Sequence, residues 1–230
     1  MLSLLLIPGV MDTSRLYDHQ VKHLSDVAQL VVADVTKQSS ISEMAESVLA
    51  AAPPRFAVAG FSLGGYVALE MVRTAPNRIA KLALLGTSAR PDTQERRERR
   101  MREIDQLKTM PFNRFMESHA PTYVHPSMAK DRSYLDLAVS MARELGPETF
   151  IRQNMAATNR PDALCNLDRI NCPTIVIVGR QDKAMLVPSE ELGKRISGAR
   201  FVIIEDCGHY MQIERPQALT ALLREWILYA

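Results

Sequence analysis

The stretch from Arg55 to Gly65 constrains the fold of this chain more than any other part of the sequence. It reads R-F-A-V-A-G-F-S-L-G-G, so a short apolar run stops at Gly60 and Ser62 follows two residues later. Apolar residues at helical spacing then continue over Tyr66–Val72. A buried strand that turns directly into a helix explains this order, because only small residues fit where the two backbones meet. We therefore predict a strand, a sharp turn with Ser62 at its tip, and a helix.

The five residues around the turn, Gly60-Phe61-Ser62-Leu63-Gly64, have the form G-x-S-x-G of a nucleophile elbow. In that motif the serine stands at a helix N-terminus, where free backbone N–H groups favour developing negative charge. A Gly/Ser loop without catalytic function shows the same letters, and G-x-S-x-G alone often occurs by chance. The strand and helix patterns on either side favour the catalytic interpretation of Ser62.

Apolar runs alternate with helical patterns along the rest of the chain. A final amphipathic helix is predicted from Pro216 to about Leu228, since proline suits the first turn of a helix. This alternation predicts an α/β fold with a mostly parallel sheet of about six strands and helices on both faces. Apart from the elbow strand, runs typical of strands buried on both faces lie at residues 2–7, 29–35, 81–86, 174–179 and 200–205.

The residues between the fourth and fifth predicted strands differ from the rest. From about Thr87 to Leu167 there is no strand-like run, and helical patterns carry half of the chain's methionines between prolines. We expect residues 88–167 to form a helical lid inserted into a core of residues 1–87 and 168–230. The methionines either fill hydrophobic space or line an adaptable acyl pocket, since methionine adapts to varied ligands.

A serine hydroxyl is a weak nucleophile, so Ser62 needs a base, and the base needs an acid that orients it. In an open α/β sheet, functional groups gather beyond the carboxyl ends of the strands. Asp182 and His209 follow the last two predicted strands. The order Ser62, Asp182, His209 is the order found in α/β-hydrolases. We predict that these three residues form a catalytic triad, with His209 as the base and Asp182 as the acid.

Other histidines and acids compete for these roles. Asp206 and Glu205 are alternatives for the acid because they lie close to His209 in the chain, but such local residues more often shape a turn. A lone loop histidine is most often a surface residue, and we expect this of His19, His23, His119 and His125.

Acyl transfer also needs hydrogen-bond donors for the oxyanion. The backbone N–H of Leu63, the residue after the nucleophile, is the first predicted donor. The second donor is expected in the loop after the first strand, next to Pro8-Gly9. We predict the N–H of Val10 for this role, with the N–H of Met11 as the alternative.

Four segments together carry a resemblance that spans nearly the whole chain: L-L-I-P-G-V-M, G-F-S-L-G-G, V-G-R-Q-D and D-C-G-H-Y-M-Q-I-E-R-P. The chain resembles the α/β-hydrolase superfamily, in particular its small lidded carboxylesterase-like members. It is similar to pimeloyl carrier-protein methyl ester esterases, enol-lactonases and the menaquinone-pathway lyase of this fold. The resemblance implies a Ser-Asp-His site under a helical lid, with no cofactor and no metal.

Two departures from the family pattern affect the expected structure. The usual His-Gly before the oxyanion loop is Pro8-Gly9 here, which keeps the glycine and the backbone donor. The sequence also begins at the strand before that loop, so we expect the family's first two antiparallel strands to be absent from the sheet.

Composition limits the partners that we expect. The net charge is +2, and no apolar stretch approaches the roughly 18 residues of a membrane span, so neither nucleic acid nor a membrane is an expected partner. The three cysteines show no zinc spacing and fit a reducing compartment, which favours a cytoplasmic location. The charged run from Glu95 to Arg102 predicts a solvated helix face with i,i+4 ion pairs of Glu95 with Arg99 and of Glu98 with Arg102. Alternatively, Arg96–Arg102 is a docking patch for an acidic carrier protein.

The sequence thus predicts a serine hydrolase that cleaves a small-molecule carboxylic ester, thioester or lactone through an acyl-enzyme on Ser62. Carbon–carbon cleavage or elimination with the same triad is an alternative. A ligand-binding protein without turnover is a third possibility, although such a protein has no need of all three triad groups. The absence of an H-E-x-x-H motif disfavours a metal hydrolase, and a serine in place of an acidic nucleophile excludes a haloalkane dehalogenase.

Overall fold

The computed structural model describes all residues from Met1 to Ala230. Its six strands form one sheet in which every neighbouring pair is parallel. The strands are β1 (Ser3–Ile7), β2 (Gln29–Val32), β3 (Phe56–Phe61), β4 (Ile79–Leu85), β5 (Thr174–Gly179) and β6 (Arg200–Ile204). Their order across the sheet is β2-β1-β3-β4-β5-β6. The predicted parallel sheet of about six strands is therefore confirmed.

Nine α-helices connect or follow these strands. The sixth is kinked at Gly146, which has φ 78° and ψ 165° and is followed by Pro147. The helices are α1 (Asp18–Leu24), α2 (Ile41–Ala51), α3 (Leu63–Thr74), α4 (Gln94–Gln106), α5 (Phe112–His119), α6 (Arg132–Thr158), α7 (Leu186–Arg195), α8 (Met211–Glu214) and α9 (Pro216–Tyr229). None of them is both long enough and apolar enough to cross a membrane.

The sheet is buried between two layers of helices because successive side chains of a strand point to opposite faces. Leu5, Val58 and Leu84 face the layer that contains α2, α3 and α7. Leu4 and Ala83 face the layer that contains α1 and α9. Both faces of the central strands are therefore apolar, which explains the continuous hydrophobic runs that mark them in the sequence.

Local hydrogen bonds set the ends of two elements. Strand β2 stops at Val32 rather than Val35, because the Asp34 carboxylate accepts hydrogen bonds from the Thr36 N–H (2.9 Å) and hydroxyl (2.6 Å) and closes a turn. Helix α2 is capped by Ser40, whose hydroxyl accepts from the Glu43 N–H at 3.1 Å.

Ser42, in the first turn of α2, donates its hydroxyl hydrogen to the Glu70 carboxylate of helix α3 at 2.8 Å. This bond joins α2 and α3, which lie side by side on one face of the sheet.

Helices α4, α5 and α6 all lie between β4 and β5, in the segment predicted to be helical. This inserted segment (residues 88–167) contacts the sheet domain through buried hydrogen bonds. The Gln153 side chain accepts from the Met11 N–H at 2.9 Å and donates to the Val35 carbonyl at 3.2 Å. The segment therefore covers the loops that follow β1 and β2, at the carboxyl edge of the sheet. Its service as a lid remains a prediction.

Candidate functional site

Ser62 occupies the tight turn between β3 and α3. Its φ is 51° and its ψ is −111°, a strained conformation for a residue with a side chain. A Cβ on Gly60 would collide with the Gly64 carbonyl, and a Cβ on Gly64 would collide with the Ile7 carbonyl. The two glycines are thus required because strand and helix backbones touch here. The Thr87 hydroxyl donates to the Ser62 carbonyl at 2.8 Å and fastens the turn to the end of β4.

Asp182 and His209 meet beyond the ends of β5 and β6. His209 Nδ1 lies 2.5 Å from Asp182 Oδ2, and both side chains are buried. The other carboxylate oxygen, Oδ1, accepts from the Met185 N–H at 3.1 Å. Both oxygens of Asp182 are therefore engaged, and the carboxylate is fixed in the orientation that holds the imidazole.

Hydrogen bonds also fix the backbone around His209. The buried Glu214 carboxylate accepts from the Gly208 N–H at 2.9 Å and from the Tyr210 N–H at 3.0 Å, on either side of the histidine. The His209 N–H itself donates to the Tyr123 carbonyl at 2.7 Å. Since Tyr123 belongs to the inserted segment, the histidine loop is held from both the core and that segment.

The two alternative acids do not approach His209. Glu205 forms an exposed ion pair with Arg180 at 2.6 Å. Asp206 is an exposed turn residue with φ 49°. The structure thus places Asp182 against the imidazole. Glu205 and Asp206, the acids close to His209 in the chain, do not contact it.

Ser62 and His209 line one cavity together with Asp182. The Ser62 hydroxyl makes no side-chain hydrogen bond, and the His209 ring bonds only to Asp182. A missing serine–histidine hydrogen bond is common without substrate, because catalytic hydrogen bonds often tighten only in the complex. The arrangement therefore brings the three predicted residues to one cavity with the acid–base pair already formed.

The predicted oxyanion donors are backbone groups in the same cavity. Leu63 is the first residue of α3, so its N–H has no partner within the helix. The Met11 N–H, the alternative second donor, is already bonded to Gln153 at 2.9 Å. The Val10 N–H makes no hydrogen bond within the protein. Val10 and Leu63, which both line the cavity, are thus the donors that this geometry leaves available.

Asp12 is a cavity residue that the sequence analysis did not single out. It is buried, and its Oδ2 has no hydrogen-bond partner. Burial raises the pKa of Asp12 to about 7, although the charge of His209 and the Tyr210 hydroxyl lower it. Its position directly after Pro8-Gly9-Val10-Met11, at the carboxyl end of β1, was the available sequence signal.

The inserted segment contributes a charged wall to the cavity. Arg96, Arg99 and Arg100 of helix α4 line it together with Glu103. The prediction of a solvated helix face was wrong for Arg100, which is only 7% exposed. Ion pairs form between Glu98 and Arg102 (3.9 Å), as predicted, and between Arg99 and Glu103 (3.4 Å). The predicted pair of Glu95 with Arg99 is not formed, because the Arg99 guanidinium points to Glu103 in the next turn.

Other predictions for this segment are met only in part. His119 is half-buried, stacks on Phe115 with ring centroids 3.8 Å apart and lines the cavity, so it is not the plain surface residue that we expected. Of the methionines, Met116 lines the cavity, whereas Met141 is buried in the hydrophobic core. Nowhere does the chain bring together three or more His, Cys, Asp or Glu side chains that could hold a metal ion.

A family model described as "Alpha/beta hydrolase family" matches residues 4–222. The chain belongs to the alpha/beta hydrolase family. The match includes all six strands, the serine turn and the Asp182–His209 pair, and it identifies the parallel sheet with its covering helices as the α/β-hydrolase fold.

Three of the individual proteins that are similar to this chain share 25% to 28% sequence identity with it. The chain is 28% identical over 204 residues to a pimeloyl-[acyl-carrier protein] methyl ester esterase of Aromatoleum aromaticum (strain DSM 19018 / LMG 30748 / EbN1), covering 81% of this chain and 79% of that one. It is 27% identical over 189 residues to the "Putative carbamate hydrolase RutD" of Escherichia coli O150:H5 (strain SE15), covering 79% and 69%. A solved structure of a thermophilic esterase from Thermogutta terrifontis, with malate bound, superposes with a TM-score of 0.87 at 25% identity, covering 99% and 89%.

Proposed function

We propose that this chain is a serine hydrolase that cleaves a small carboxylic ester through an acyl-enzyme on Ser62. The observation that carries the proposal is the His209–Asp182 hydrogen bond of 2.5 Å in a cavity that the Ser62 turn enters. An acid–base pair next to a strained, glycine-flanked serine is the arrangement that activates a hydroxyl nucleophile. The esterases among the similar proteins support the same reaction class.

In the proposed reaction the Ser62 Oγ attacks the ester carbonyl carbon while His209 Nε2 accepts its proton. The carbonyl oxygen becomes an oxyanion that accepts hydrogen bonds from the N–H groups of Leu63 and Val10. Collapse of the tetrahedral intermediate breaks the bond to the alcohol, which takes the proton from His209 and leaves. Asp182 holds the imidazole tautomer and stabilises the imidazolium without taking the proton.

Water completes the cycle. It attacks the acyl-enzyme while His209 again accepts the proton, and the second tetrahedral intermediate passes through the same two backbone donors. Its collapse breaks the bond to Ser62 Oγ, which regains the proton from His209, and the carboxylic acid is released. No group beyond those of the chain and water is required for the balance of this reaction.

Replacement of the nucleophile tests the proposal. We expect Ser62→Ala to lower kcat/KM for hydrolysed esters by about 10⁴-fold or more, because the remaining groups cannot form an acyl-enzyme. The measurement is initial-rate hydrolysis on a panel of short esters, thioesters, lactones and carbamates. Hydrolysis by Ser62→Ala within about tenfold of wild type would exclude Ser62 as the nucleophile. Within the panel, a preference for thioesters, lactones or carbamates would replace the ester assignment.

A further inference from the structure

The cavity wall from the inserted segment carries more positive than negative charge. Asp92 precedes α4, and its carboxylate accepts from Arg100 Nε at 2.7 Å and from Arg160 Nη1 at 2.6 Å. Arg96 Nε approaches the same carboxylate at 3.3 Å. Asp92 and Arg160 lie behind the wall, and Glu103 is the only acid of the inserted segment that lines the cavity, where it is paired with Arg99. Four guanidinium groups thus share two carboxylates, which leaves two positive charges without a counter-charge.

Arg100 is held rigidly and still has donors to offer. It is 7% exposed, and its Nε and Nη1 donate to Asp92 (2.7 Å) and to the Asn154 Oδ1 (2.6 Å). A guanidinium has five N–H donors, so three of them have no acceptor within the protein, including both on Nη2. Since Arg100 and Asn154 both line the cavity, these donors are preorganised at its wall.

The Tyr66 hydroxyl of helix α3 adds an unsatisfied group that faces this wall. Tyr66 lies one helical turn after Ser62 in α3, lines the cavity and is 5% exposed. Its hydroxyl is buried without any hydrogen-bond partner, and its ring stacks on the Arg160 guanidinium at 3.9 Å. A buried hydroxyl without a partner is unfavourable, so the Tyr66 hydroxyl has both a donor and an acceptor to offer to a ligand.

We propose that Arg100, Arg96 and the Tyr66 hydroxyl bind a carboxylate of the substrate, so that the substrate is a half-ester of a dicarboxylic acid. This inference rests on the proposed function, because it describes the acyl part that Ser62 would attack. The planar guanidinium fork matches a carboxylate, and the two uncompensated charges provide the attraction.

The second carboxylate belongs to the acyl side rather than to the leaving alcohol. The alcohol leaves at His209, and the Asp12 carboxyl lies beside that ring. The arginines that line the cavity all belong to α4, so an anion on the alcohol, beside Asp12, would lack a cationic partner. An anion on the acyl chain instead reaches the arginine wall.

The first experiment measures binding without turnover. Monomethyl glutarate and its neutral counterpart dimethyl glutarate are titrated by calorimetry into Ser62→Ala, with and without Arg100→Met. We expect the half-ester to bind more tightly than the diester, and Arg100→Met to weaken it by about tenfold to a hundredfold, since hydrogen bonds to charged groups contribute about 1.5 to 3 kcal/mol. Inorganic phosphate and glutarate are then added as competitors of the half-ester. Stronger competition by phosphate than by glutarate would overturn the carboxylate assignment.

The second experiment measures the ratio of kcat/KM for the half-ester to that for the diester, in a chain with an intact Ser62. Arg100→Met should lower this ratio by about tenfold or more, and Arg100→Lys should lower it less because it keeps the charge. Arg132→Gln, which removes a 79%-exposed arginine of α6, is the matched control and should leave the ratio at the wild-type value.

Tyr66→Phe covers the case in which loss of Arg100 prevents folding. It removes only an unpartnered hydroxyl, and we expect the ratio to fall by about two- to tenfold. An unchanged ratio in the Arg100 and Tyr66 variants would overturn the anion site. If Ser62-dependent hydrolysis is equally fast for the half-ester and the diester, the proposed function is supported and the anion site is excluded. If the half-ester binds in an Arg100-dependent way but is not hydrolysed, the anion site is supported and the esterase activity is excluded.

Discussion

The cavity has two walls of different origin, and they differ in how their polar groups are satisfied. The wall from the sheet carries Asp182 and His209, whose carboxylate oxygens and ring Nδ1 are all engaged. The wall from the inserted segment carries Arg100 with spare donors and faces Tyr66, whose hydroxyl has no partner.

This difference separates the chemistry from the choice of substrate. In the proposed reaction, the groups that act on any ester are fixed by the fold itself, in loops at the carboxyl ends of β5 and β6. The proposed anion site combines Arg96 and Arg100 of α4, between β4 and β5, with the Tyr66 hydroxyl of α3, and its spare hydrogen-bond donors are left open for a ligand. Changes to the sheet wall should therefore alter kcat for every substrate, whereas changes to the other wall should alter the preference between substrates.

The largest expected effect belongs to the acid on the sheet wall. Asp182→Asn should lower kcat by about 10⁴-fold for charged and neutral esters alike, because an amide favours the wrong imidazole tautomer. Glu205→Gln, an exposed acid near His209 in sequence, is the control and should retain wild-type kcat. Initial rates on both glutarate esters provide the measurement. An Asp182→Asn effect confined to one ester would break the separation between the two walls.

A smaller effect concerns Asp12, the buried carboxyl on the sheet side of the cavity. Burial raises its pKa from 3.8 in the unfolded chain to about 7, so the folded protein binds the extra proton between these values. This group therefore lowers the free energy of unfolding as the pH rises, by about 2 to 3 kcal/mol between pH 5 and pH 8. The Asp12→Asn protein has no carboxyl to titrate at this position. Its free energy of unfolding relative to wild type should therefore increase from pH 5 to pH 8.

Urea denaturation at pH 5 and pH 8 measures this difference, with Asp34→Asn as a control that should show none. Burial opposes ionisation of Asp34, but hydrogen bonds from Thr36 prevail and lower its pKa, so this carboxylate is ionised in the folded and the unfolded chain at both pH values and its contribution to the free energy of unfolding stays constant between them. If the difference in unfolding free energy between Asp12→Asn and wild type is the same at pH 5 and pH 8, Asp12 is not a buried carboxyl with a raised pKa. The titratable groups that face Asp12 are His209, Tyr210, Tyr17 and Tyr134.

The smallest expected effect tests the connection between the walls. Gln153→Leu removes the acceptor of the Met11 N–H. Because this buried donor is then unpaired, the free energy of unfolding should fall by about 1 to 2 kcal/mol. Because Met11 adjoins Val10, the proposed oxyanion donor, kcat should also fall by about tenfold on both esters. Urea denaturation measures the loss of stability, and initial rates measure kcat. Wild-type kcat in a destabilised Gln153→Leu protein would show that the bond supports folding only.

Much of the sheet wall could be predicted from the sequence because its signals are local. Buried parallel strands appear as continuous apolar runs, and the Ser62 turn appears as small residues at fixed spacing. Asp182 and His209 follow from strand order alone, since the carboxyl ends of parallel strands share one edge.

The second wall could not be predicted in this way because its contacts are distant in sequence. Arg100 is buried only because Asp92 and Asn154 accept its hydrogen bonds, and nothing in the run E-R-R-E-R-R distinguishes it from its exposed neighbours. Asp12 resembles an ordinary turn aspartate until the inserted segment covers it. Helix periodicity predicts that α4 exists but not which of its charged residues turns inward.

The most direct test of the central claim is covalent labelling by a fluorophosphonate, read by intact-mass spectrometry. Wild type, Ser62→Ala and His209→Ala are compared, with circular dichroism to show that each is folded. An activated Ser62 with His209 as its base predicts one adduct on wild type and none on either variant. Absence of the adduct on folded wild type, or its persistence on Ser62→Ala, would contradict the proposed nucleophile.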